Sequence, residues 1–377
     1  MRHVLSLLAL LAALAAPAAA SAALPPEVKL GAVFSTTGAA ADYGAQQPSG
    51  AQFAVRQLNE SGALGATRLT LDVRDDGSDA DRAAAAFGAL IDGGAVALLG
   101  PTLSNSALAA DPVAQRRGVP VLAVSNTGDG VLEIGDFVFR DSLPESTVQP
   151  ETVRVSHERL GYRRAAIVWA TPDAYSRSGH DVFRRALRAR PGVRLVADRS
   201  FASASKRGYR RALRAIARMR PDALFVSALA PDAVKVMRQA RRMKALRDVS
   251  FIGGNAFNAP ELVEQAGGLA EGAISGAAWI ATADTPGNAA FVAAYREAFG
   301  HEPDQFAAQS YTGVMLLAEA LRRADSADPR AIRDALAGIR DFDTVLGRFS
   351  FTEAREPVYE PVVQQVRGGR YVEIAGR

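Results

Sequence analysis

A loop rich in hydroxyl and amide side chains follows a short apolar segment in the first third of the chain. Residues 95–100 are typical of a buried parallel strand, and the helix after them has Ser104, Asn105 or Ser106 available as its N-cap. A helix N-terminus exposes unpaired backbone N–H groups and the positive end of the helix dipole, and both suit a carboxylate. Ligands of open α/β sheets bind beyond the carboxyl ends of the strands, where this loop lies. The loop is therefore a candidate carboxylate site, with simple helix capping as the alternative.

Strand-like and helix-like segments alternate along the chain, the pattern of a parallel sheet with helices on both faces. The predicted strands are residues 28–34, 68–73, 95–100, 119–124, 165–170, 193–200, 223–227, 250–253, 348–351, 361–366 and 371–374. The predicted helices are residues 43–61, 79–92, 104–117, 145–160, 176–190, 206–220, 231–246, 287–299, 306–324 and 329–337. We expect an α/β fold of two doubly wound, Rossmann-like lobes.

The length and the polar connections of the chain indicate how these lobes are divided. A mature chain of roughly 355 residues is long for a single hydrophobic core. The short polar segment at residues 141–145 is a first place where the chain could cross between lobes, and residues around 278–281 and near 352–358 are candidates for the second and third. We therefore expect a three-segment hinge between two lobes. The N-terminal lobe would comprise residues 23–143 plus 279–354, and the C-terminal lobe residues 144–278 plus 355–377.

The first 22 residues are predicted to be a signal peptide. Arg2 supplies the positive charge, residues 4–16 the apolar stretch, and residues 20–22 a cleavage site of small residues. No later apolar run approaches the roughly 20 residues that span a bilayer. The chain contains no Cys, so disulfides, thiolate metal sites and lipid attachment through a Cys are excluded. We expect an exported, periplasmic protein without a lipid anchor.

Basic residues are concentrated in the middle of the chain. Residues 151–250 contain 24 Lys and Arg against 8 Asp and Glu, a net charge of +16, whereas the remainder has 20 against 32, a net charge of −12. Such a block can indicate nucleic-acid binding, but this one has few aromatic residues. Its arginines also recur at helical spacing, which favours solvent-exposed helix faces: Arg184, Arg185, Arg188, Arg211, Arg214 and Arg218. We expect no nucleic-acid partner.

The sequence lacks the patterns of the common catalytic sites. The histidines of the mature chain, His157, His180 and His301, do not have metal-ligand spacing, and no H-E-x-x-H motif occurs. There is no G-x-S-x-G motif, no phosphate-binding P-loop and no G-x-G-x-x-G after the first strand. The adjacent acids at residues 75–76 are more typical of a turn than of a catalytic pair. We therefore expect no enzyme, no cofactor and no metal.

A series of motifs resembles the leucine/isoleucine/valine-type solute-binding proteins of ABC importers, which have the type I periplasmic binding fold. The motifs are VKLGAVFSTTG at residues 28–38, GA at 50–51, LNE at 58–60, RDDGSD at 74–79, GPTLS at 100–104, VPVL at 119–122, SNT at 125–127 and FR at 139–140. Their common order and spacing carry the resemblance, which runs from about residue 28 to residue 371.

The resemblance implies ligand-binding roles for residues of both lobes. Ser104 falls where the family places a hydroxyl against the ligand carboxylate. Asn126 and Thr127 fall in the second ligand loop. Tyr43 takes the place of an aromatic residue that covers the ligand, and Tyr175 that of a tyrosine from the other lobe.

Two departures from the family pattern leave the ligand class open. Asn255 stands where the amino-acid binders of this family carry an acid that pairs with the α-ammonium. Leu229 and Ala230 stand where those binders carry aromatic residues. An amino acid would need a different acid, such as Asp173, because a buried unpaired charge is costly. The alternatives are a branched-chain or other apolar amino acid and an amine-free aromatic or aliphatic carboxylic acid.

The resemblance also implies a mechanism and a partner. We expect a monomer that captures a small-molecule ligand by hinged closure of its lobes and presents it to an ABC permease in the inner membrane. The alternative is a ligand sensor of the same fold that regulates a partner protein. The basic block would serve docking or orientation at the permease and would lie outside the ligand cleft.

Overall fold

The computed structural model describes residues 24–203, 205 and 207–374, so the predicted signal peptide lies outside the described residues. The strands are β1 Glu27–Phe34, β2 Arg68–Asp75, β3 Ala97–Leu99, β4 Val121–Ala123, β5 Val138–Arg140, β6 Arg164–Thr171, β7 Arg194–Ala202, β8 Ala223–Ser227, β9 Ser250–Gly253, β10 Ile274–Ala277, β11 Phe342–Thr344, β12 Gly347–Phe351, β13 Pro357–Val358, β14 Val362–Arg367 and β15 Arg370–Glu373. The α-helices are α1 Ala41–Gly44, α2 Gln47–Ser61, α3 Ala80–Asp92, α4 Ser104–Arg117, α5 Glu145–Leu160, α6 Ala174–Ala189, α7 Gly208–Arg218, α8 Ala230–Arg241, α9 Pro260–Ala266, α10 Asn288–Phe299, α11 Gln305–Ala324 and α12 Pro329–Ala337.

The first sheet contains five parallel strands in the order β2-β1-β3-β4-β5. Its order reverses between β1 and β3, which creates a topological switch point at their carboxyl ends. The core on this sheet includes Phe34, Leu99 and Leu122, and it also takes in Leu317 of α11 and Phe349 of β12. The segment from α10 to β12 therefore packs onto the sheet that residues 27–140 build.

The second sheet has seven strands in the order β15-β14-β10-β9-β8-β6-β7. Strands β6 to β10 run parallel, whereas β14 and β15 are antiparallel additions at one edge. Buried Val168, Val226 and Phe251 belong to one of its cores. Parallel strands covered by helices on both faces read as continuous apolar runs, as β8 does over Ala223–Ser227. The two sheets confirm the predicted α/β class with two doubly wound lobes.

Within the described residues, the chain passes three times between the part that packs on the first sheet and the part that forms the second sheet: after β5, after β10 and after β13. Two of these connections touch, because the Tyr359 hydroxyl donates to the carbonyl oxygen of Asp141 at 2.7 Å. The backbone N–H of Ala278 in the remaining connection donates to Gln305 Oε1 at 2.8 Å. A small third sheet, β11-β12-β13, continues to Val358, past the predicted lobe boundary at residue 354. The residue limits of the lobes stay a prediction.

Most long elements agree with the sequence prediction, and the short ones account for most of the differences. The predicted bounds of α4, α5, α12, β8 and β9 are those observed. The predicted helix 43–61 is two helices, α1 and α2, and the helix predicted for residues 231–246 ends at Arg241. The elements β5, β10, α9 and β11 were not predicted. They span few residues and carry little periodicity.

The exposure of the basic helix faces agrees with the charge analysis. Arg185, Arg188, Arg211, Arg214 and Arg218 are exposed, whereas Arg184 is partly buried with its Nε 3.8 Å from Asp198. Within the described part of the chain, none of the helices is both long enough and apolar enough to cross a membrane.

Candidate functional site

A cavity lies where the carboxyl ends of the strands in both sheets face each other. It comprises about 350 Å³ of space without protein atoms, part of which opens to solvent. The structure brings all six predicted ligand-binding residues to its wall: Tyr43, Ser104, Asn126, Thr127, Tyr175 and Asn255. The other lining residues are Thr102, Leu103, Ser125, Leu229, Ala256 and Phe306. Polar atoms are thus combined with apolar surface, as is common in small-molecule sites. The binding role of the six residues stays a prediction.

Helix α4 points its N-terminus at this cavity, but its cap differs from the prediction. The N-cap residue is Leu103, and no side chain caps the helix. Ser104 is the first helical residue, and its Oγ accepts a hydrogen bond from the backbone N–H of Gly128 at 3.0 Å. A Cβ at residue 128 would lie 2.9 Å from Ser104 Oγ, so glycine is needed for this approach. The prediction of a Ser or Asn cap was wrong: within the described part of the chain, no side chain hydrogen-bonds to the first N–H groups of α4.

A buried polar network holds the loops after β1, β3 and β4 together. Thr102 Oγ1 accepts from the backbone N–H of Ser35 at 2.9 Å and donates to Gln47 Oε1 at 2.5 Å. The Gln47 amide donates in turn to Ser125 Oγ at 3.0 Å, and Ser125 Oγ donates to the Thr102 carbonyl at 2.9 Å. Such mutually satisfied groups keep the first-lobe wall of the cavity rigid.

The loop after β4 contributes Ser125, Asn126 and Thr127 to the wall of the cavity. Asn126 Nδ2 donates to the carbonyl oxygen of Pro101 at 2.8 Å, while its Oδ1 is buried and has no partner among the described residues. The hydroxyl of Thr127 donates to Glu145 Oε1 at 3.0 Å. The predicted second ligand loop therefore faces the cavity with an unused acceptor.

Two tyrosines, one from each side, line the cavity with their rings and hydrogen-bond with their hydroxyls. Tyr43 is 4 % exposed, and its hydroxyl accepts from the backbone N–H of Ala230 and donates to the carbonyl oxygen of Ala256 at 3.3 Å. The Tyr175 hydroxyl accepts from the backbone N–H of Ala256 at 3.0 Å. Phe306 packs edge-on against Tyr43, with ring centroids 5.4 Å apart. Tyr43, which follows β1, is thus hydrogen-bonded to the segments that follow β8 and β9, and these contacts join the walls of the cavity.

Burial keeps both tyrosine hydroxyls in the neutral form. It raises the pKa of Tyr43 and that of Tyr175 well above the ordinary value. For Tyr175, the nearby Glu145 carboxyl adds to this shift. A neutral phenol both donates and accepts, which is the role that Tyr43 plays between Ala230 and Ala256.

Glu145, the first residue of α5, is the acidic residue at this site that the sequence analysis missed. Its side chain is fully buried, and its Oε1 accepts from Asn255 Nδ2 at 2.9 Å as well as from Thr127. Its Oε2 accepts from Gln149 Nε2. Burial raises the pKa of Glu145 to about 7, against these three hydrogen bonds, which lower it. A Glu in the first turn of a helix is common because it complements the helix dipole, so its position carried no functional signal.

Asp173, the acid suggested from the sequence as an ammonium partner, has a structural task. It is the N-cap of α6: its Oδ2 accepts from the backbone N–H of Ser176 at 2.8 Å. Its Oδ1 lies 3.4 Å from the donating Nδ2 of Asn105. Neither Asp173 nor Glu145 lines the cavity, but two lining residues, Thr127 and Asn255, hydrogen-bond directly to Glu145.

Comparison with known proteins decides the family. Residues 27–370 match the model of the periplasmic binding protein family. The chain belongs to this family. Within it, the chain is of type I and of the leucine/isoleucine/valine-binding kind, as the sequence resemblance predicted. The family is a class of solute-binding proteins rather than of enzymes.

One curated relative and two solved structures are similar to this chain, the second structure in its fold. The Leu/Ile/Val-binding protein homolog 1 of Brucella melitensis is 24% identical over 335 residues, which cover 88% of each chain. The structure of the branched-chain amino acid transporter substrate-binding protein LivJ from Streptococcus pneumoniae, in complex with isoleucine, is 27% identical with a TM-score of 0.84, covering 92% of this chain and 100% of that one. A solute-binding protein of an ABC transporter from R. palustris, in complex with benzoate, is 22% identical with a TM-score of 0.80, covering 92% and 95% of the two chains.

Proposed function

We propose that this chain is the periplasmic substrate-binding component of an ABC importer, a monomer that captures an apolar amino acid by closure of its two lobes. The observation that carries the proposal is the cavity between the lobes, where Ser104 at the N-terminus of α4 meets Tyr43 and Tyr175. Hydroxyls and helix N–H groups provide donors for a carboxylate, and the aromatic rings provide apolar surface for a side chain.

Closure is the mechanism that this arrangement supports. The hydroxyl of Tyr43 crosses from the first lobe to backbone atoms of the second, and Asp129 N–H crosses to Ser178 Oγ at 2.8 Å. A ligand that contacts both walls binds the closed form better than the open one and shifts the equilibrium towards it. The few residues of the three connections can absorb the change in backbone dihedrals.

Two observations favour an amino acid as the ligand: the buried carboxyl of Glu145 next to the cavity wall, and the names of the similar proteins. Glu145 supplies a buried carboxyl beside Asn255, which compensates for the missing acid at residue 255. Leu103 and Leu229 contribute apolar wall for the ligand side chain. The names of the Brucella and Streptococcus relatives, which refer to leucine, isoleucine or valine, support the same class.

An amine-free carboxylic acid is the second candidate, and Asn255 favours it. An uncharged amide stands at the position where the amino-acid binders carry an acid, and the benzoate complex shows that this fold accommodates such a ligand in a relative.

A thermal-shift panel separates the two candidates, since a ligand that binds the native state raises the melting temperature. The panel compares leucine, isoleucine and valine with their deaminated 2-oxo acids and with benzoate. Stabilisation by the amino acids alone supports the proposal, and stabilisation by the acids alone supports the second candidate. Small-angle X-ray scattering on the same samples tests closure. A radius of gyration unchanged at ligand saturation would refute the clamp.

A further inference from the structure

The carboxyl of Glu145 is buried among neutral partners. Its hydrogen-bond donors are two amides and a hydroxyl, those of Asn255, Gln149 and Thr127. Taking an ionised carboxylate out of water is costly unless a cation or a complete set of donors compensates for it. Glu145 has these three hydrogen-bond donors, but none of the three carries a positive charge.

The surroundings of this carboxyl contain an excess of hydrogen-bond acceptors. Asn126 Oδ1, Gln149 Oε1 and Asn255 Oδ1 are buried and have no partner among the described residues. These three residues are 2 %, 0 % and 5 % exposed, respectively. Buried polar atoms in native proteins are almost always paired, and Asn126 and Asn255 line the cavity, so their unpaired acceptors indicate that the missing donors come from its occupant. An ammonium group has three donors, no acceptor and a positive charge.

Gly254 allows the wall of the cavity to lie against the carboxyl. A Cβ at this residue would be 2.6 Å from Glu145 Oε2, 2.8 Å from Gln149 Nε2 and 3.2 Å from the Tyr175 hydroxyl. A side chain there would push the following segment away from α5. With glycine, Asn255 lies between the carboxyl and the cavity, and the Tyr175 hydroxyl stays close to both.

Among the described residues, the charge that acts most on Glu145 is that of an acid and not of a cation. Asp129, in the loop after Thr127, raises the pKa of Glu145 further, and Tyr175, on α6, is a second titratable neighbour. The Arg140 guanidinium donates to the carbonyl oxygen of Gly128, in the same loop, but forms its ion pair with Glu356. An ammonium on the ligand would therefore be the cation that Glu145 faces.

We infer that Glu145 determines ligand specificity: its carboxylate, acting through Asn255 and Thr127, is the counter-charge for an ammonium group, and capture of an amine-bearing ligand releases a proton from it. This inference rests on the proposed function and deepens it, because it assigns the selection of an amine-bearing ligand to Glu145, the first residue of α5. It also gives the two candidate ligand classes opposite pH dependences.

The sign of each dependence follows from the charge that the ligand brings. Without ligand, the pKa of Glu145 is about 7. An ammonium nearby favours the carboxylate and lowers this pKa, so binding releases a proton below about pH 7 and the affinity rises with pH. An amine-free carboxylate adds a second negative charge and raises the pKa. Its binding takes up a proton, and its affinity falls as the pH rises.

Isothermal titration calorimetry of the whole protein from about pH 5.5 to about pH 8 tests the inference. The ligands are leucine and its 2-oxo acid, and the variant is Glu145→Gln. The matched control is Glu151→Gln on the same helix, whose glutamate pairs with Arg154 away from the cavity. We expect the wild-type affinity for leucine to rise by up to about tenfold per pH unit below pH 7, the limit for one linked proton. Glu145→Gln should lose this slope and about tenfold or more of the leucine affinity at neutral pH, because its side chain carries no charge. Glu151→Gln should behave as the wild type.

The outcomes distinguish this inference from the proposed function. Leucine binding with no pH dependence in the wild type would overturn the role of Glu145 and leave the proposed function standing, even if the variant did not fold. If Glu145→Gln kept both the wild-type affinity for leucine and the pH dependence of that affinity, the role of Glu145 would also be overturned and the proposed function would still stand. Binding of the 2-oxo acid but not of leucine would overturn the inference and leave carboxylate capture intact. Binding of neither ligand would refute amino-acid capture itself, and the inference with it.

Discussion

Replacing Tyr43 by Phe removes one hydroxyl that joins the two lobes and leaves the ring in place. That hydroxyl accepts from the backbone N–H of Ala230 and donates to the carbonyl oxygen of Ala256. Ala230 is 0 % exposed and Ala256 is 4 % exposed, so neither group gains a water when the hydroxyl is lost. In an open form, by contrast, the same groups would be hydrated. The substitution therefore destabilises the closed form selectively.

The size of the effect follows from the two hydrogen bonds. Each contributes roughly 1 kcal/mol net, and a buried donor left unpaired costs at least as much. Closure should thus become less favourable by about 2 kcal/mol, which is a factor of about 30 in an equilibrium constant. Ligand binding has to supply this energy, so the dissociation constant should rise about 30-fold if the open form predominates without ligand.

Calorimetry with the best ligand of the thermal-shift panel measures this change. Tyr209→Phe on α7 is the matched control, because Tyr209 is absent from the cavity wall. Small-angle scattering should show that Tyr43→Phe needs a higher ligand concentration to reach the compact form. Unchanged affinity together with an unchanged scattering titration would refute the role of Tyr43 in closure. An equal loss in Tyr209→Phe would show that the effect is not specific.

Three further predictions concern the cavity, the basic surface and pH. Ser104→Ala removes a hydroxyl at the cavity wall and leaves the Gly128 N–H unpaired, so calorimetry should show an affinity loss of roughly tenfold; an unchanged affinity would contradict a ligand contact. Three exposed basic residues lie on α7: Arg211, Arg214 and Arg218. Replacing all three with alanine should leave the solute affinity within about twofold, since surface charges remote from a site contribute little. A large loss of affinity would mean that these side chains face the cleft. Burial raises the pKa of Asp304, the N-cap of α11, to about 7, above its unfolded value. Its contribution to stability is therefore present at low pH and lost as the pH rises through about 7. Asp304→Asn keeps a good N-cap, so its melting temperature should exceed that of the wild type at about pH 8 but not at about pH 4, and equal differences at both would contradict this reasoning.

The secondary structure was largely predictable because it depends on local pattern. Helices α4 and α5 and strands β8 and β9 begin and end at the predicted residues, since the hydrophobic pattern that predicts them is carried by neighbouring residues. Strand β5, with three residues, has too short a run for any periodicity to show. The pairing of the strands, by contrast, depends on contacts between residues far apart in the chain.

The cavity wall was partly predictable for a related reason. The loops after β3 and β4 must meet because carboxyl ends of neighbouring parallel strands lie at one edge of a sheet. That rule led to the loop that contains Ser104, whereas the family resemblance alone led to Asn126 and Thr127. The local role of Ser104 was wrong, since its hydroxyl serves the Gly128 N–H and Leu103 is the N-cap. The sequence shows that a residue type suited to capping is present, but it does not show which other group hydrogen-bonds to that side chain instead.

The sequence by itself determined the fold class, the order of the elements and the side chains that the strand ends carry. Tertiary structure alone decided the electrostatics of the site. In the sequence, Glu145 and Glu151 are two glutamates of the same helix. Packing against the segment after Gly254 buries Glu145 completely, whereas Glu151 keeps 35 % of its side chain exposed beside Arg154. The charge of a carboxyl is set by the water and partners around it, and these come from distant parts of the chain.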